Sequence, residues 1–217
     1  MTECGANPSP SPRLQRVTEI RGSVLYVLFL FSGLSALLYQ VAWQRALMLI
    51  YGSNTESVAI VVSAFLVGLG LGNILGGMLS ARQGISLLAL FAFAELLIAS
   101  YGLASLAIFG WAGRITLPWG AMATGAVVFC LLLVPTVCMG GTLPLLVAHE
   151  TRRSGNVGMA VSRMYFVNTL GAAVGAFLSG FVLLAEFHLH GTVVAAAVLN
   201  LVSVLVLLFG ARPGIKR

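Results

Sequence analysis

Residues Ser57–Leu79 read SVAIVVSAFLVGLGLGNILGGML, an unbroken apolar run without a charged side chain. A hydrocarbon core of roughly 30 Å takes about 20 helical residues to cross, and this run has that length. Five more segments of the same kind surround it. One precedes it, from about Val24 to Arg45. Four follow, at about Ile85–Phe109, Trp119–Met139, Val157–Leu184 and Thr192–Phe209. The expected fold is therefore all-α, a polytopic bundle of about six transmembrane helices.

Composition agrees. Of the 217 residues, 59% are hydrophobic and 8% charged, against roughly 25% charged in an ordinary soluble domain. The mean hydropathy is +1.01. A soluble globule of this size could not cover its surface with so few polar side chains. The six acidic residues are all Glu, and there are three His. Carboxylate-built metal sites, paired-carboxylate chemistry and Mg²⁺-phosphate sites have little to work with. No Gly-rich loop joins a strand to a helix, so no nucleotide fold is visible. Neither metal nor cofactor is expected. The net charge of +6 reads as basic loops on one side of a membrane rather than as a nucleic-acid surface. Cys130 and Cys138 lie about 12 Å apart along one helix, too far to bridge, and nothing around Cys4 reads as a lipoprotein cleavage site.

Charge placement gives an orientation. With the N-terminus inside, the cytoplasmic side collects Arg13, Arg16, Arg21, Arg82, Arg152, Arg153, Arg163, Arg212, Lys216 and Arg217; Arg45 and Arg114 remain outside. Both termini are then cytoplasmic. The chain divides into a polar tail over 1–22, a six-helix transmembrane domain over 23–210 and a basic tail over 211–217. The first span lacks a cleavage site and reads as an uncleaved helix.

Gly68, Gly72 and Gly76 in the second span recur at every fourth position, as do Gly171, Gly175 and Ser179 in the fifth. Small residues so spaced let another helix backbone approach. These two spans run in opposite directions, which suggests two three-helix halves in a 3+3 inverted repeat. Stripes of this kind also occur in polytopic bundles without repeats.

Polar residues within the apolar zone mark candidate sites. Glu95 lies near mid-membrane and must face the bundle interior. It is either a proton-relay or cation-binding group, or a neutral acid bonded to a neighbouring helix. The first span ends in Tyr39, Gln40, Trp43 and Arg45; Trp43 suits the outer interface and Arg45 a snorkelling position. Alternatively the helix runs on through Ala46–Ile50, and an embedded Arg45 needs Glu56 or Glu95. Asn73, Asn168 and Asn200 are expected as interhelical hydrogen-bond partners. Pro135, Gly140, Gly141 and Pro144 predict a kink or break in the fourth span. His188 and His190 beside Glu186 read as loop residues rather than as a metal cluster.

Taken together these segments resemble a known family. Ser32-Gly33 through Tyr39-Gln40, Trp43 and Arg45, then Ala64-Phe65 through Gly68, Gly72 and Gly76, Glu95-Leu-Leu-Ile-Ala-Ser-Tyr101, Met139-Gly140-Gly141-Thr142-Leu143-Pro144 and Tyr165-Phe-Val-Asn168-Thr169-Leu170-Gly171 resemble the membrane domain of bacterial multispanning spermidine synthase-like proteins. The resemblance runs over about Phe31–Phe209. It implies a bacterial inner-membrane protein, similar to half of a major-facilitator domain. Gly76–Gly84 is similar to the facilitator loop, with Ala81 at its acidic position and without its following basic pair. In that family the membrane domain is commonly fused to an aminopropyltransferase-like domain. The chain ends at Arg217 without length for one, and no synthase activity is expected.

The expected function is that of a non-enzymatic integral membrane module, a subunit or scaffold of an inner-membrane complex. The alternative is a half-size homodimeric transporter for a small organic cation or protons. A membrane-embedded enzyme lacks a nucleophile, base and orienter at workable spacing. Expected partners are the lipid bilayer and either other membrane subunits or a second copy, with no nucleic acid.

Overall fold

The computed structural model describes residues 18–19, 22–52, 54–210 and 212–213. Cys4, Arg13, Arg16, Arg21, Lys216 and Arg217 lie outside the described residues. Six helices are long and apolar enough to cross a membrane, and the protein is an all-helical, multi-pass bundle. Its elements are α1 (Gly22–Tyr51), α2 (Asn54–Ser80), α3 (Leu87–Thr116), α4 (Ala121–Ser154), α5 (Val157–Leu178), a short α6 (Leu184–Glu186) and α7 (His188–Gly210). The fifth span comprises α5, a π turn at Ser179–Leu183 and α6. Short strands β1 (Thr18–Glu19) and β2 (Arg212–Pro213) pair antiparallel, so the segments entering α1 and leaving α7 meet at one end of the bundle.

The helix boundaries follow local chemistry. Ser86 Oγ accepts from the Ala89 N–H and Asn156 Oδ1 from the Met159 N–H, capping α3 and α5. Such caps satisfy amide groups that the helix itself leaves free. Gly155, with φ 71°, takes the left-handed conformation that closes α4.

The close helix contacts use the small residues. α2 lies along α4, α5 along α1, and α3 packs against both α4 and α7, with α7 also on α1. A Cβ on Gly72 would meet the Val137 carbonyl of α4, and one on Gly171 the Leu30 carbonyl of α1. The two glycine stripes thus face α4 and α1. Ser179 is buried at the end of the second stripe.

Three expectations are decided by the structure. Of the two endings open for the first span the longer one holds, and the helix runs on past Arg45 to Tyr51. Trp43 is not at the interface: it is fully buried, stacked on Tyr39 and ringed by Phe65, Tyr101 and Phe109. Its indole N–H donates to Ser105 Oγ at 2.8 Å, and that bond removes the cost of burying it. Trp111 and Trp119 are the exposed tryptophans.

Third, Pro135, Gly140, Gly141 and Pro144 do not break α4, which is continuous from Ala121 to Ser154. Pro135 has no N–H for the Leu131 carbonyl. The Tyr101 hydroxyl of α3 donates to that carbonyl instead, at 2.8 Å. Replacement by a neighbouring helix is how membrane helices tolerate proline. The irregular turn falls in the fifth span, where the Leu184 N–H bonds the Ser179 carbonyl.

Candidate functional site

Glu95 projects from the buried face of α3 and is fully enclosed. Ser32 Oγ of α1 donates to its Oε1 at 2.7 Å, and Asn200 Nδ2 of α7 donates to its Oε2 at 2.8 Å. One carboxyl group therefore ties three helices. Ser35 Oγ donates in turn to the Ser32 carbonyl. Two buried polar atoms border this group without a hydrogen-bond partner among the described residues: the Tyr39 hydroxyl and Asn200 Oδ1. Tyr39 lies within electrostatic reach of Glu95, its ring set against Gly102 on the same face of α3. Farther along, Ser105 accepts from Trp43 and donates to the Gly102 carbonyl. Hydroxyl, carboxyl and amide groups thus line the α1–α3–α7 seam.

Of the residues picked out in the sequence, Glu95 and Tyr39 come together here. Gln40 is half-buried, and no hydrogen bond joins it to Glu95 among the described residues. Arg45 is exposed and lines a small cleft with Val41, Gln44, Met48 and Leu184. No ion pair joins it to Glu95 among the described residues. Asn200 makes the interhelical bond expected of it. Asn73 does not: it is exposed, and its Nδ2 donates to the Leu69 carbonyl of its own helix at 2.9 Å. An exposed amide on an apolar helix face satisfies itself on the nearest backbone acceptor. Asn168 is half-buried and sits against Gly33 of α1.

A second polar group escaped the sequence reading. Glu150, near the end of α4, is buried; its carboxylate takes two hydrogen bonds from Arg153, at 3.0 Å each, and one from the Tyr26 hydroxyl of α1 at 3.2 Å. Arg152 donates to the Ser80 carbonyl at the end of α2 at 2.7 Å. The ends of α1, α2 and α4 are joined there. The i, i+3 spacing of Glu150 and Arg153 was the available signal. No group of three or more His, Cys, Asp or Glu side chains is placed to hold a metal among the described residues.

No family model, no curated protein and no solved structure matches the chain. The class follows from the fold: a multi-pass membrane protein whose interior carboxyl group is bonded into a three-helix seam.

Proposed function

We propose that the chain is a non-enzymatic integral membrane module, working as a subunit or scaffold of a bacterial inner-membrane complex with both termini cytoplasmic. The observation that supports this best is the outward surface of the second and fifth spans, whose apolar windows are 28% and 17% buried, against 39–44% in the other four. On α2 that surface carries Gly70 and Gly77, with nothing among the described residues against them, and the exposed amide of Asn73. Bare glycines and an amide at hydrocarbon depth suit a partner helix. The resemblance to spermidine synthase-like membrane domains fits a module whose chemistry sits on another polypeptide. Gentle-detergent purification followed by mass spectrometry should recover a stoichiometric membrane partner, and Asn73→Leu should weaken its retention. A monodisperse lone monomer overturns the reading.

A second reading, a half-size homodimeric transporter for a small organic cation or protons, is favoured by Glu95 with the Tyr39 hydroxyl and Asn200 Oδ1 beside it, both without a hydrogen-bond partner among the described residues. The helix pairings also support a 3+3 repeat: exchanging the halves carries the α2–α4 contact onto α5–α1 and α3–α4 onto α7–α1. Proteoliposome uptake that is unchanged by Glu95→Gln would sink this role for Glu95.

A further inference from the structure

The two halves of the chain are packed through equivalent contacts. A Cβ on Gly72 would meet the Val137 carbonyl, as one on Gly171 would meet that of Leu30; Gly76 stands in the same way to Gly141, and Gly175 to Leu34. Gly140 lies against the Leu69 carbonyl and Gly33 against that of Asn168. In every pair the α4 residue follows its α1 counterpart by one constant number of positions, and the α5 residue follows its α2 counterpart by another. Side-chain bonds keep the register: Ser35 Oγ donates to the Ser32 carbonyl, and Thr142 Oγ1 to that of Met139. The first and fourth spans cross the bundle in opposite directions, so these contacts are those of an approximate two-fold axis lying across the spans.

The buried faces of α3 and α7 follow the same rule. Placing Glu95 on Asn200 also places Phe91 on Ala196, Ile98 on Ser203 and Gly102 on Leu207, all of them buried. The hydrogen-bonded carboxyl and amide of Glu95 and Asn200 therefore face each other across that axis. Interfaces between such repeats are where membrane proteins build ion sites. This one is one-sided. Ser32 and Tyr39 of α1 have Met139 and Leu146 as their counterparts on α4, so the oxygen donors gather on the α1 side.

Charge is unbalanced there. Both Glu95 oxygens accept from neutral donors, Ser32 and Asn200, and no cationic side chain is paired with Glu95 among the described residues. A carboxylate at hydrocarbon depth is costly without a positive partner. The Tyr39 hydroxyl and Asn200 Oδ1, buried beside it, make no hydrogen bond among the described residues. A proton on Glu95 satisfies one of these oxygens; a cation draws on both together with the carboxylate. Glu95, Tyr39 and Asn200 are each at most 1% exposed, so the place suits a bare ion rather than an organic cation. One carboxylate balances one positive charge, and divalent ions bind more tightly as charged ligands are added. We propose that this site binds a sodium ion, held by the Glu95 carboxylate, Asn200 Oδ1 and the Tyr39 oxygen, with Ser32 fixing the carboxylate. The inference rests on the second reading in placing the working site at Glu95, and it names the ion to which transport is coupled.

The test is thermal unfolding of the purified full chain in detergent, with sodium chloride exchanged for choline chloride at constant ionic strength and pH. The midpoint should rise saturably with sodium, because an ion that binds only the folded chain stabilises it. Glu95→Gln keeps a hydrogen-bonding side chain and should lose the response. Tyr39→Phe removes a hydroxyl with no hydrogen bond to lose, so its midpoint in choline should match that of the parent chain. In sodium the same variant should need roughly tenfold more of the ion; a merely structural hydroxyl would not separate the two salts. Equal midpoints in both salts, a sodium response that survives Glu95→Gln, or one unchanged in Tyr39→Phe would each overturn the proposal. A midpoint that moves with pH and not with sodium would also overturn it and give the place to a proton. Sodium binding without uptake of radioactive sodium into proteoliposomes would keep the ion and remove the transporter. Uptake of an organic cation that ignores sodium would overturn the ion and keep the transporter.

Discussion

Glu95 accepts one hydrogen bond on each oxygen, from helices that approach it from opposite ends of the chain. Removing Asn200 takes away a donor and leaves the carboxyl half-satisfied in a place water does not reach. Asn200→Leu should cost about 1 kcal/mol, the scale of side-chain hydrogen bonds between membrane helices. In a Glu95→Leu background the same change should cost almost nothing, since the acceptor is already gone. Unfolding in mixed micelles reads both losses; equal losses in the two backgrounds would show that no coupling exists. That Glu95 faces the bundle interior was legible from its charge and depth alone. Its partners were not, because Ser32 and Asn200 are 63 and 105 residues away, and proximity of that kind is decided by packing. Trp43 was misread for a related reason. A tryptophan near a helix end fits the interface and the core equally well until its N–H partner, Ser105, is known.

At the scale of elements, α4 shows how much of a proline's effect depends on its neighbour. The Leu131 carbonyl loses its helical donor at Pro135 and gains the Tyr101 hydroxyl, so the helix continues. Tyr101→Phe should therefore cost about 1–2 kcal/mol, and considerably less when combined with Pro135→Ala, which restores the backbone donor. Equal costs with and without Pro135 would refute the compensation. The sequence showed the proline and could not show the tyrosine opposite it. The glycine stripe was legible as a stripe, and the structure assigns it a side. Gly72→Leu drives a side chain into the α4 backbone and should cost about 3 kcal/mol. Gly70→Leu and Gly77→Leu point into open space and should stay within about 0.5 kcal/mol in unfolding measurements on the detergent-solubilised monomer.

Across the whole molecule, length and apolarity give six helices able to cross a membrane, and the arrangement of charges is the ground for the proposed orientation. The end of the bundle where β1 meets β2 also holds the start of α1, packed under Arg153, and the end of α2, bonded by Arg152. Arg82, Arg152, Arg153 and Arg163 are all exposed in the chain segments at that end, while Arg45 and Arg114 are exposed toward the other. Basic residues are retained on the cytoplasmic side during insertion, so the proposed orientation puts the paired tails and the loop between α2 and α3 there. His190, exposed at the start of α7, is then expected on the opposite face. In a variant with Cys4, Cys130 and Cys138 replaced by Ser, His190→Cys should react with an impermeant maleimide added to intact cells. Gln83→Cys, in the α2–α3 loop, should react after the membrane is opened and not before. The reverse pattern would place the basic end outside and remove the orientation on which the cytoplasmic assignment of the tails rests. Labelling of both positions in intact cells would show instead that the helices do not all cross the membrane, because three spans, an odd number, separate Gln83 from His190 and place them on opposite faces.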